Sequence, residues 1–132
     1  MSSLRYLSAE WISAMSAGVS ADSTLSTLAS QHTVGLTQVV TGTPFGDVMY
    51  HLQVRDGAVS FTSGVAPTED VRFTESYETA VGIATEQINA QEAFIKGLIV
   101  FTGDHQKLID AGDVFAALNP IFDAVRASTV FI

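Results

Sequence analysis

The stretch Asp47-Val48-Met49-Tyr50-His51-Leu52-Gln53-Val54-Arg55, followed by Asp56-Gly57, sets the architecture of this chain. Val48, Tyr50, Leu52 and Val54 point one way, and Asp47, Met49, His51, Gln53 and Arg55 point the other. This period-two alternation reads as a half-buried strand. Asp-Gly at its end is a hairpin signal, because both central residues of a type I′ turn need positive φ. The returning strand covers residues 58–62, with Val59 and Phe61 on the apolar side. Upstream, Thr43-Pro44-Phe45-Gly46 is turn chemistry. Before it, residues 33–41 form a third strand in which Val34, Leu36 and Val40 alternate with Thr37 and Thr41.

Downstream, residues 64–70 hold Pro67 and read as a loop, and residues 71–74 as a short strand with Val71 and Phe73 inward. From Ser76 the period becomes helical, with Tyr77, Ala80, Val81 and Ala84 on one stripe. A second helix opens at Asn89, where Asn89 and Glu92 fit a capping box, and stops at Gly97. Residues 98–102 are β-branched and aromatic between two glycines, hence a strand. Asp104 caps a short helix that Gly112 interrupts. Residues 113–127 form a final helical region carrying Phe115, Leu118, Phe122 and Val125, in which Pro120 allows a break or kink near Asn119.

At the other end, Ser8 caps a short helix whose Leu7, Trp11, Ile12 and Met15 share a face. Residues 16–30 read as a connection with a helical turn near 23–29. The expected fold is α+β: a mainly antiparallel five-stranded sheet covered on one face by helices. The expected organisation is one domain over 1–132, with 1–30 as N-terminal helix and connection and 112–132 as a C-terminal helical extension.

Composition narrows the function. Of 132 residues 47% are hydrophobic, which is near the globular norm. Cysteine is absent, which excludes disulfides and thiolate zinc sites and fits a cytoplasmic protein. Fourteen acidic groups against six basic ones give a formal charge of −8, a surface that repels nucleic acid and anionic lipid headgroups. Apolar runs fall well short of the ~20 residues of a membrane span. The N-terminus lacks a basic start followed by an apolar run, so it does not read as a signal peptide.

No catalytic constellation stands out, and no metal or cofactor is expected. His32, His51 and His105 are scattered, and the Asp104-His105 pair is explained by helix capping. Glu69-Asp70 and the pair Glu75/Glu78 read as solvated charges. Neither a nucleophile elbow nor a phosphate loop is present.

Residues 70–108 resemble the second half of the sterol-carrier-protein type-2 domain. The matching pieces are Val71-Arg72-Phe73-Thr74, Ser76-Tyr77-Glu78, and Ala93-Phe94-Ile95-Lys96-Gly97 running into Leu98-Ile99-Val100-Phe101, then Gly103-Asp104 and Lys107-Leu108. Residues 47–61 fit the family's antiparallel strands. The resemblance implies a hydrophobic tunnel between sheet and helices for fatty-acyl or sterol-like molecules. Carried over by position, its lining would include Phe73, Phe94, Ile99, Phe101 and Leu108. The apolar pattern adds Trp11, Met15, Leu52, Val54, Phe61, Phe115, Leu118 and Phe122. Each of these, taken singly, also suits ordinary core packing.

Two features depart from the family pattern. Leu98 and Val100 occupy outward strand positions where charges are expected, so they are either ordinary exposed hydrophobes or covered by the chain's termini or a second subunit. The apolar tail 114–132 would either fold over the ligand mouth or meet a partner. Binding of an apolar ligand, without catalysis, is therefore the leading expectation. A homodimerising module with a vestigial pocket is the alternative. A third is a small-cavity enzyme for a polyketide or steroid-like substrate, with Tyr50, His51 or Asp47 as its polar group.

Overall fold

The computed structural model describes residues 3–131 of the chain. In chain order the elements are β1 (Leu4–Arg5), α1 (Ala9–Ala21), α2 (Ser23–Ala29), β2 (Val34–Thr43), β3 (Gly46–Arg55), β4 (Ala58–Ser63), β5 (Val71–Ser76), α3 (Tyr77–Ala84), α4 (Ala90–Ile95), β6 (Ile99–Gly103), α5 (His105–Asp110), α6 (Gly112–Arg126) and β7 (Thr129–Val130). No described helix is long and apolar enough to cross a membrane.

The alternation of residues 47–55 produces β3, and Asp56 and Gly57 both have positive φ, as the hairpin requires (54° and 77°). Strands order as β4-β3-β2-β5-β6. Three of the four pairings are antiparallel, but the central one, β2 with β5, is parallel. The sheet is therefore mixed. The cause is the loop 64–70, which leaves the β4 edge, crosses the sheet and delivers β5 to the far side of β2.

That loop also changes the outer face. Ala66 N donates to Thr37 Oγ1 (3.0 Å) and Thr68 N to Gln53 Oε1 (3.1 Å), while His51 Nδ1 lies 3.1 Å from the Gly64 carbonyl. Gly35 and Asp70 exchange two more bonds. Thr37, His51 and Gln53 are consequently buried rather than solvated, although their residue types mark a water-facing side. Gly35 makes the crossing possible: a Cβ there would stand 1.8 Å from the Thr68 carbonyl oxygen.

The inner face carries Val34, Leu36 and Val40 of β2, Leu52 and Val54 of β3, Phe61 of β4 and Val71 of β5, in register across the ladder. α1 lies on it with Trp11, Ile12, Met15 and Val19 buried. Burying side chains of this size is worth about 1.5–3 kcal/mol each before the entropy of ordering them is subtracted.

Several expectations need correction. The first helix continues to Ala21, so residues 16–21 are helical rather than a connection, while the helical turn expected near 23–29 is α2. Ala favours helix, and packing of Val19, Leu25 and Ala29 in the core compensates for the middling propensity of the serines and the weak pattern. α6 runs unbroken through Pro120. It is no extension, because Val114, Leu118 and Ile121 are buried in the core. The tail after it pairs β7 in parallel with β1 and sets Phe131 against Tyr6, ring centroids 4.9 Å apart. Ile132 lies outside the described residues. Leu98 and Val100 stay 45% and 54% exposed, so among the described residues neither end of the chain covers them.

Candidate functional site

Between the inner face and α3, α4, α5 and α6 lies a cleft of three lobes. The first, of about 360 Å³, is walled by Trp11, Tyr50, Ile83 and Phe122, with Tyr6 and Phe131 from the paired chain ends. The second, of about 720 Å³, lies between β5–β6 and α4–α5, where Phe73, Phe94, Ile99 and Leu108 line it. The third, of about 350 Å³, runs beneath α5 and α6 over Leu36, Leu52 and Phe61. Phe94 and Ile95 on α4 are 44% and 81% exposed, so the second lobe opens to solvent beside them.

The lobes share walls. Glu75 and Ile83 border the first and second lobes, and Gln38, Phe73 and Leu108 the second and third. Tyr50, Asn119 and Phe122 border the first and third. Four polar residues, Gln38, Tyr50, Glu75 and Asn119, thus stand at the shared walls of a mostly apolar cleft, three of them on the sheet. Strand register puts these three there: Gln38 pairs with Tyr50 across β2–β3, and with Phe73 across β2–β5, two residues before Glu75.

Gln38 Nε2 donates to Glu75 Oε1 at 2.6 Å. Among the described residues, Glu75 Oε2 is the one buried side-chain polar atom without a hydrogen-bond partner. Burial pushes the Glu75 carboxyl up to about 7, because a charge with little water around it is costly; the Gln38 bond pulls in the opposite direction. The Tyr50 phenol is raised well above its ordinary value, first by burial and then by Tyr6 and Glu75. Tyr6 is raised for the same leading reason, with Glu75 and Tyr77 adding to it.

The structure brings most of the sequence-selected residues to this cleft. Trp11, Leu52, Phe61, Phe73, Phe94, Ile99, Leu108, Phe115, Leu118 and Phe122 line one lobe or another. Met15 and Val54 do not; they are fully buried in the solid core. Phe101 packs beside Phe73 and edge-on to His105 (both 5.5 Å) without lining a lobe. Aromatic edges knit the first lobe to the third, with Trp11 5.5 Å from Tyr50 and Tyr50 5.1 Å from Phe61.

Of the polar candidates, Asp47 accepts from Gly42 N in the β2–β3 turn, and the His51 ring is held by the outer loop. Tyr50 borders the first and third lobes and His51 the third, whereas Asp47 borders none of the three. Glu75 corrects the reading as a solvated charge: β5 extends to Ser76, so period two carries Glu75 inward with Val71 and Phe73. Gln38 was detectable in the same way, as the polar residue between Leu36 and Val40. Arg126, at the rim of the first lobe, is committed to Glu86 (2.7 Å), Asp123 (3.4 Å) and the Ala84 carbonyl (3.2 Å).

No protein-family model matches this sequence, and no characterised sequence relative does either. Solved structures do match in fold. A conserved hypothetical protein of Thermus thermophilus superposes with TM-score 0.66 at 15% identity, covering 98% of this chain and 93% of that one. A crystal structure of sterol carrier protein 2 gives TM-score 0.64 at 15% identity, covering 93% and 98%. The apo form of sterol carrier protein 2 from Yarrowia lipolytica gives 0.62 at 14% identity, covering 87% and 88%. The fold is that of sterol carrier protein 2, as the resemblance of residues 70–108 implies.

Proposed function

We propose, from the sterol-carrier-protein-2 fold of this chain and from its three-lobed cleft, that it binds and carries a ligand with a long apolar body. The observation that carries this reading is the cleft itself. Lobes of about 720 and 350 Å³ share Phe73 and Leu108 as walls, so one extended molecule would run from the exposed α4 side to the floor of Leu52 and Phe61. Ligand sites of this kind are concave and mostly apolar, with few polar groups fixing orientation. Removing such a ligand from water is worth about 25 cal/mol per Å² of apolar surface, enough for useful affinity without any charged contact. The lining residues in this reading are Trp11, Leu52, Phe61, Phe73, Phe94, Ile99, Leu108, Phe115, Leu118 and Phe122. Carriage without catalysis suits the site, since two of the three groups considered for chemistry, Asp47 and His51, are held by backbone partners in turn and loop.

Native mass spectrometry of protein purified from its expression host, followed by denaturing extraction, tests the reading. A defined lipid adduct, or a mass shift with added long-chain alcohols, acids or sterols, is the expected result. An empty protein that takes up no member of such a panel contradicts it.

A further inference from the structure

Glu75 is an expensive residue to place on the inner face of a sheet. It takes part in none of the ion pairs among the described residues, which join Arg55 to Asp56, Arg72 to Glu69, and Arg126 to Glu86 and Asp123. Its single side-chain hydrogen bond comes from a neutral amide, Gln38, and satisfies one oxygen. The other is buried with no donor. A buried acceptor without a donor costs free energy that a Leu or Met at the same position would avoid. On the outer face of the sheet the buried Thr37, His51 and Gln53 side chains are each hydrogen-bonded by the protein itself. The unsatisfied one stands where the lobes converge, with Phe73 as its inner-face neighbour on β5.

We propose that Glu75, held by Gln38, receives the polar end of the ligand, and that this end is a hydrogen-bond donor (a hydroxyl or an amine) rather than a carboxylate. The inference rests on the cleft being a ligand site and adds which chemistry it selects. A hydroxyl or ammonium at the junction supplies the donor that Oε2 lacks, and the soft terminal torsion of a Glu side chain lets either oxygen meet it. At pH 8, where most of the Glu75 carboxyl is ionised, a fatty-acid carboxylate would bring a second acceptor-only group against the first. Arg126, the cation bordering the first lobe, is already occupied by Glu86, Asp123 and the Ala84 carbonyl, so it does not neutralise the pair. The apolar body then extends from Glu75 along Phe73 and Leu108, and tail length is read by the lobes rather than by the polar group.

The test is competition against Nile red, a neutral dye that fluoresces in apolar sites, using dodecylamine, dodecanol and dodecanoate at pH 8. The tails are identical, and the amine and acid each carry one charge, so their ratio isolates the head group. The wild-type protein is expected to prefer amine over acid by at least tenfold, a conservative value for one unpaired buried acceptor. Glu75→Gln is expected to bring the two within about threefold. Glu75→Leu serves if the first variant does not fold, and is expected to remove the preference for both donors. An amine-to-acid ratio near one, or a preference unchanged in both variants, overturns the role of Glu75 while leaving the cleft as a ligand site. Failure of Nile red and all three tails to bind overturns the carrier reading itself.

Discussion

The two faces of the central sheet bury polar side chains in similar places and treat them differently. On the outer face, Thr37, His51 and Gln53 meet backbone groups of the loop 64–70 within 3.0–3.1 Å, and the loop backbone closes over Gly35 with no room for a methyl group. On the inner face, Gln38 and Glu75 meet each other, one carboxylate oxygen is left over, and the surrounding space is unfilled. The contrast teaches that burial of a polar residue has two meanings in one sheet. Where the protein supplies every partner the group specifies the fold; where it does not, the group is available to something else.

The largest test of this contrast is at Gly35. Gly35→Ala forces a Cβ into the Thr68 carbonyl, and backbone cannot step aside as a side chain can. The expected loss is about 3 kcal/mol of stability, measured by urea unfolding. A loss below about 0.5 kcal/mol would mean that the loop does not pack on the outer face as described. Next in size, Thr37→Val keeps the shape but leaves the buried Ala66 N–H without an acceptor. It should cost about 1–2 kcal/mol in the same assay.

The inner face should respond with the opposite sign. The native Glu75 carboxyl titrates at about 7 against an ordinary 4.5, so the folded state binds its proton more tightly than the unfolded chain does. Its contribution is therefore fully present below about pH 4.5 and is lost as pH rises through 7. Allowing for solvent that reaches the cleft, the wild type should lose on the order of 1–2 kcal/mol across that window. Glu75→Gln should lack this component and be the more stable protein at pH 8. Parallel stability–pH curves for the two proteins would show that Glu75 is not held as the structure has it. The smallest effect belongs to the rim: Ile95→Ser, at a position 81% exposed, should change stability by no more than about 0.5 kcal/mol. A larger loss would mean that α4 closes over the second lobe in solution.

The same contrast explains what the sequence made legible. Alternation in β3, the Asp56-Gly57 turn and the caps at Ser8, Asn89 and Asp104 are local signals, and local hydrogen bonds in the structure match them. The length of α1, the continuity of α6 and the burial of His51 and Gln53 depend on contacts between distant segments, which periodicity does not report. The parallel placement of β5 belongs with these, because it is set by the path of a loop. At the cleft, the apolar walls were visible as types and spacings, whereas the empty space between them was not. Met15, Val54 and Phe101 show the consequence: they have the same pattern as their neighbours but line none of the three lobes. Glu75 was hidden for a simpler reason, since ending the strand at Thr74 moved it from the inner face to a helix start.

Two glutamine side chains give the most direct test of the central claim, one on each face of the sheet. Gln38 borders the second and third lobes, and Gln53 is bound to Thr68 beneath the outer loop. In a ¹⁵N-resolved titration with dodecanol, the side-chain amide signals of Gln38 should shift progressively and saturate, while those of Gln53 stay in place. Saturating shifts at Gln53 with none at Gln38, or no shift at either, would contradict an inner-face cleft that carries an apolar ligand.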